Sequence, residues 1–138
     1  MLTRRTLLAS AMAATVLPSI AHARIGMDYK PGLVDKLLAD GKTVFVDFYT
    51  DWCSTCAAQE RAINALLKQN PAYQEQIEFV SLNWDYYSKD ALSQRLNIPR
   101  RSTLVVLKGD QELGRIVAGT RKADIKALMD RALKAAMA

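Results

Sequence analysis

Apolar residues along the chain recur with two periods, and the places where the period changes mark out the elements. In "PGLVDKLLADGK", Leu33, Leu37 and Leu38 fall at helical spacing and Gly41 follows as a stop signal. "TVFVDFYT" is a β-branched and aromatic run, apolar on both faces, which suits a strand in the middle of a sheet. From Cys53 to Lys68 the pattern turns helical, with Cys56, Ile63, Leu66 and Leu67 on one face, until Asn70-Pro71 breaks it. "IEFVSLNW", residues 77–84, predicts a second strand of alternating character, and "SKDALSQRLN", residues 88–97, a short helix capped by Ser88. "TLVVLKGDQELGRIVAG", residues 103–119, predicts a hairpin turning around Gly109-Asp110. Thr120 is placed to cap a final helix whose Ile125, Leu128, Met129 and Leu133 line one face.

The predicted order is β-α-β-α-β-β-α with a leading helix. Strands separated by helices favour parallel pairing, and the closing hairpin adds antiparallel strands. The fold class is therefore α/β, a central mixed sheet with helices on both faces. No repeat, low-complexity tract or Pro/Gly linker interrupts residues 24–138, so they read as one domain.

Residues 1–23, "MLTRRTLLASAMAATVLPSIAHA", break from this pattern. A basic start, an apolar middle and the small-x-small end Ala21-His22-Ala23 have the layout of an export signal cleaved after Ala23. The apolar part is shorter than the ~20 residues of a comfortable membrane span. Thr3-Arg4-Arg5-Thr6-Leu7-Leu8 resembles a twin-arginine signal, although Leu7 and Ala9 fit it imperfectly. The expected location is the periplasm, where a disulfide can form.

Cleavage changes the charge and the available chemistry. The net charge of +5 falls to +3 without Arg4 and Arg5, and the remaining basic residues are interleaved with acids, so no nucleic-acid partner is expected. The only histidine, His22, leaves with the signal. That excludes Ser-His and Cys-His catalysis and any His-ligated site from the mature chain.

What remains is the two cysteines, Cys53 and Cys56, in "WCSTC". Cys53 stands where strand turns into helix, where free backbone N–H groups and the helix dipole favour a thiolate. Cys56 lies one turn later on the same side, within reach of a mixed disulfide on Cys53. Ser54 and Thr55 between them are small, and their hydroxyls are available to solvate a thiolate. An inert staple would close too short a loop to stabilise much. A two-thiolate clip for Cu(I) stays open, since it needs only soft ligands. Asp47 is odd in the middle of an apolar strand: burial would raise its pKa toward neutrality, whereas a wet strand edge would leave it an ordinary acid.

"VDFYTDWCSTC", "SLNWD" and the terminal hairpin resemble the thioredoxin family, and the likeness runs from about Gly32 to Leu133. Together with the leader, the chain looks like exported thioredoxins that handle periplasmic disulfides. The resemblance implies a thioredoxin-like fold with Cys53 as nucleophile, Cys56 as resolving thiol and Asp47 as a buried acid serving Cys56. It also implies that Trp52 shields the pair and that Gly119 lets a partner's backbone approach. Arg101, Ser102 and Thr103 then line the substrate side. Protein disulfides are the implied substrates, a membrane thiol carrier the electron donor, no cofactor is needed, and a monomer is expected.

Three departures from the family pattern bear on function. Ser102-Thr103 stands where the family has a cis-proline followed by threonine; a non-proline cis bond costs roughly 3 kcal/mol, so a trans peptide is expected at Arg101–Ser102. In the family that proline helps keep metals off the cysteines, which keeps Cu(I) handling as the alternative function. Arg100 and Arg101 lie in the loop facing the disulfide, and either one aimed at Cys53 would favour its thiolate. Ser81 replaces a lysine near the buried acid and Arg61 a proline that kinks the long helix, so Asp47 is expected to lack a cationic neighbour. The sequence-level conclusion is a periplasmic thiol–disulfide oxidoreductase acting as a reductase, since the dipeptide between the cysteines lacks the histidine of strong oxidants.

Overall fold

The computed structural model describes residues 24–138, and the expected export signal lies outside the described residues. At the centre is β2 (Thr43–Tyr49), buried at every position. It pairs in parallel with β3 (Glu78–Asn83) and antiparallel with β4 (Thr103–Lys108). β5 (Gln111–Val117) completes the hairpin, with a bulge in the ladder at Val106/Leu107. A two-residue strand unforeseen from the sequence, β1 (Met27–Asp28), pairs in parallel with the outer edge of β3. The sheet order is β1-β3-β2-β4-β5.

Alternation along β2 divides the molecule into two cores. Phe45 points to one face with Phe79, Leu104 and Val106, under α2 (Ser54–Gln69), α3 (Ala72–Gln76) and α6 (Lys122–Ala136). Val44, Val46 and Phe48 point to the other, under α1 (Leu33–Ala39) and the turns α4 (Trp84–Tyr87) and α5 (Ala91–Arg95). Period two then places Asp47 on the α2 face, two residues beyond Phe45.

Several details correct the sequence reading. The 88–97 segment is two short helical pieces, and the cap of α5 is Asp90, whose carboxylate accepts from the Leu92 N–H; Ser88 ends α4 instead. Helix α6 starts after Arg121, without a side-chain cap, so Thr120 does not close it. β3 does not alternate between core and solvent, because both faces of the sheet are covered; Phe79, Val80, Ser81 and Leu82 are all buried. Pro71 breaks α2 and at once starts α3, a position where its missing N–H costs nothing.

The N-terminal segment is drawn tightly onto β3. Ser81 Oγ donates to the Ile25 carbonyl at 2.8 Å, and Gly26 has φ +70°. A Cβ at Gly26 would stand 2.0 Å from the Phe79 carbonyl oxygen. Gly26→Ala is therefore expected to lower stability by about 2–4 kcal/mol, combining a left-handed conformation with a backbone clash. Urea unfolding measures this; an unchanged midpoint would mean that residues 24–28 contribute nothing to the fold.

Candidate active site

Strand β2 ends at Tyr49, and four residues later Cys53 adopts an extended conformation as the N-cap of α2. Its sulfur accepts the Cys56 N–H at 3.1 Å, so the thiol occupies the place a serine or aspartate oxygen usually takes at a helix start. Both cysteines are free thiols and both are buried, Cys53 at 5% exposure and Cys56 at 1%.

Ser102 closes the site from the opposite loop. Its peptide is trans, as expected, and its φ is +64°, a left-handed conformation costing about 1–2 kcal/mol without glycine. Three hydrogen bonds hold it there. Its N–H donates to the Phe48 carbonyl at 2.7 Å, and its carbonyl accepts from the Ala118 N–H at 2.8 Å and from Gln59 Nε2 at 2.9 Å. The side chain is thereby aimed between the sulfurs, with Oγ 3.1 Å from each. Gln59 Nε2 also donates to the Gly119 carbonyl at 2.9 Å, tying together the two loops beside the cysteines.

The surrounding groups set the two thiols apart. Burial works against the Cys53 thiolate, but hydrogen bonds from the Cys56 thiol, Ser102 and the Cys56 N–H, with Arg101, outweigh it and bring this thiol down to about 7. Burial pushes the Cys56 thiol up, reinforced by its hydrogen bond to Cys53, with Ser102 opposing. Asp47 is buried with neither carboxylate oxygen hydrogen-bonded, and desolvation raises it to about 8. Glu60 adds to that rise, while Arg24 opposes it.

The expected lack of a cation near Asp47 is thus corrected. Ser81 cannot supply one, but Arg24 does from the N-terminal segment, stacked 3.9 Å over the Tyr49 ring and bonded to Glu60 at 2.5 Å and to Asp51. Arg24, Thr50, Asp51, Cys53, Glu60 and Arg61 line a cavity of about 250 Å³ on this side of the cysteine pair.

The other residues singled out from sequence take varied places. Trp52 is 63% exposed; its Nε1 donates to Asp85 at 2.9 Å and the Arg101 guanidinium lies 4.2 Å over its ring. Arg101 thus lies over Trp52, beside the pair, and favours the Cys53 thiolate, whereas Arg100 turns back to donate from Nε to the Arg101 carbonyl at 3.0 Å. Thr103 is fully buried, its hydroxyl donating to the Arg100 carbonyl at 2.7 Å, so it braces the loop. Gly119 lies at the rim, where a Cβ would stand 2.8 Å from Ile116 Cγ2. Sequence reasoning missed Gln59, Glu60 and Arg24. Gln59 alone left a signal, a polar residue in the apolar stripe between Cys56 and Ile63.

Comparison with known proteins fits this geometry. Residues 31–131 match the thioredoxin family model. The chain is 30% identical to Thioredoxin-1 of Saccharomyces cerevisiae over 92 residues, 67% of this chain and 82% of that protein. It is 31% identical over 85 residues to the thiol:disulfide interchange protein TxlA of Synechococcus elongatus, which is 56% of this chain but only 43% of that protein. The crystal structure of Trxlp from Edwardsiella tarda matches with a TM-score of 0.63 at 31% identity, covering 75% of this chain and 98% of that one. The chain belongs to the thioredoxin family, a thiol–disulfide oxidoreductase with a Cys53/Cys56 pair.

Proposed function

We propose that the protein works in the periplasm as a monomeric reductase of protein disulfides, recharged by a membrane thiol carrier. The observation that carries the direction is the setting of Cys53, whose sulfur accepts the Cys56 N–H and lies 3.1 Å from the neutral Ser102 hydroxyl, with its thiol brought down to about 7. A thiolate stabilised much further, to ~3.5, makes the dithiol so stable that the pair becomes a strong oxidant. Here the lowering is enough to supply a nucleophile at neutral pH without reaching that regime. The export layout of residues 1–23 supports the location, and the interleaved surface charges suit protein partners.

Exchange takes two steps. The Cys53 thiolate attacks a substrate disulfide, forming one S–S bond as the substrate's own breaks; the first substrate sulfur leaves as a thiolate and takes a proton from solvent. Cys56 then gives its proton to the Asp47 carboxylate and attacks Cys53, releasing the second substrate sulfur. The pair ends oxidised and the substrate reduced by two electrons, until a donor dithiol restores the pair. Asp47 suits its part because its pKa lies near the working pH and both its oxygens are unpartnered.

Copper handling is the second reading, favoured by the hydroxyl that stands where the family has its proline. Among the described residues, however, no group of three Cys, His, Asp or Glu side chains could hold a metal ion. A two-coordinate Cu(I) site is all that the pair could make.

Equilibration of the purified protein with defined thiol buffers tests the direction. A potential near −270 mV supports a reductase and one near −120 mV an oxidant. Cys53→Ala is expected to abolish exchange, and Cys56→Ala to accumulate mixed disulfides on Cys53; an absence of trapped partners in cell envelopes would count against turnover.

Asp47→Asn should separate activity from stability. The unfolded carboxyl ionises near its model value of 3.8 and the folded one near 8, so across that window the folded state holds the extra proton. Stability therefore falls as pH rises, by ~1.4 kcal/mol per pH unit and up to ~6 kcal/mol in all. The variant should lose this slope, gain relative stability at pH 8 but not below pH 4, and resolve mixed disulfides about 100-fold more slowly. An unchanged resolution rate would remove Asp47 from the mechanism.

A further inference from the structure

Ser102 does more than fill the position of a missing ring. Its hydroxyl is fully buried, equidistant from the two reacting sulfurs at 3.1 Å, and makes no other hydrogen bond. A hydroxyl has one proton to give and two lone pairs to receive. Standing between two sulfurs, it can donate to only one at a time. Its backbone is fixed on both sides, through Phe48, Ala118 and Gln59, so the freedom left to it is rotation of the O–H about the Cβ–Oγ bond.

We propose that Ser102 is a catalytic residue whose single hydroxyl proton follows the negative charge from Cys53 to Cys56 during exchange. In the reduced protein the hydroxyl donates to the Cys53 thiolate, alongside the Cys56 S–H. Attack on the substrate turns the Cys53 sulfur into a neutral disulfide sulfur, a poor acceptor. The hydroxyl then turns to Cys56 and stabilises the second thiolate as its proton passes to Asp47. No proton is lost or gained by the serine, and the electron count is that of the two-step exchange above, on which this inference rests. A proline ring at this position has no donor, so the same support would be missing at both steps.

Lowering contributions from Ser102 at both thiols agree with a donor that serves either sulfur. Arg101, by contrast, contributes at Cys53 only, and Asp47 is a proton acceptor, so the resolving thiolate has no other side-chain donor within this set.

The test uses Ser102→Ala and Ser102→Gly. Alanine removes the hydroxyl and keeps the strained backbone; glycine removes it and relieves the strain. Two readouts are needed: the titration of the Cys53 thiolate by ultraviolet absorbance, and the release of a chromogenic thiol from a preformed mixed disulfide on Cys53. A hydrogen bond to a charged partner is strong enough that both variants should shift the thiolate midpoint up by about one pH unit and slow release about tenfold. If Ser102→Gly keeps the wild-type midpoint and release rate, the serine only shapes the loop and the proposal falls. If the midpoint moves but release does not, the hydroxyl serves Cys53 alone and the two-way role is wrong. Turnover by the wild-type protein reports separately on the exchange reading itself.

Discussion

The enclosure of β2 is the constraint from which the site follows. The strand is hydrogen-bonded along both edges and covered on both faces, so its end is a fixed point in the molecule. Two chain segments hang from that point. One is the Thr50–Trp52 turn that delivers Cys53 to the start of α2. The other is Ser102, whose N–H is bonded to the Phe48 carbonyl one residue before the strand ends. The Cys53 sulfur and the hydroxyl that faces it are therefore referenced to the same few atoms of backbone. The same enclosure makes Asp47 expensive, since a carboxyl in that strand has water on neither side.

Burial acts on all three titratable groups in one sense, disfavouring charge, and hydrogen-bond donors decide which group escapes it. Cys53 accepts from a backbone N–H and faces the Ser102 hydroxyl; the Cys56 thiol and the Arg101 guanidinium favour its thiolate further, and it ionises most readily. Cys56 lies deeper with fewer donors, and Asp47 has none at all. Donors thus separate Cys53 from Cys56, and Asp47, with none, is left raised to about 8. Arg24 and Glu60 then act on Asp47 in opposite senses from the cavity wall.

Much of this was legible in the sequence because it rests on local patterns. The β2 run, the CxxC at a strand–helix junction, the hairpin and the odd Asp47 each announce themselves within a dozen residues. What escaped depends on distance in the chain. Arg24 reaches the site only because Gly26 folds the N-terminal segment against β3, and nothing near Arg24 signals that. The left-handed Ser102 is selected by partners at Phe48, Gln59 and Ala118, from a strand, a helix and a loop far apart in the chain. Helix starts were misplaced for a related reason. Ser88 and Thr120 have the right chemistry for caps, but the chain turns at Asp90 and Arg121.

Gln59 sits three residues after Cys56 on α2, so both look out from nearly the same side of that helix. Its amide grips the Ser102 and Gly119 carbonyls while Cys56 presents its sulfur to Ser102 Oγ. A slide or roll of α2 is thus resisted by the amide grip, which ties the helix to a loop that is itself anchored on β2. The Cys56 sulfur and Ser102 Oγ are thereby held in register by a tether between helix and sheet, and their distance does not depend on side-chain packing alone.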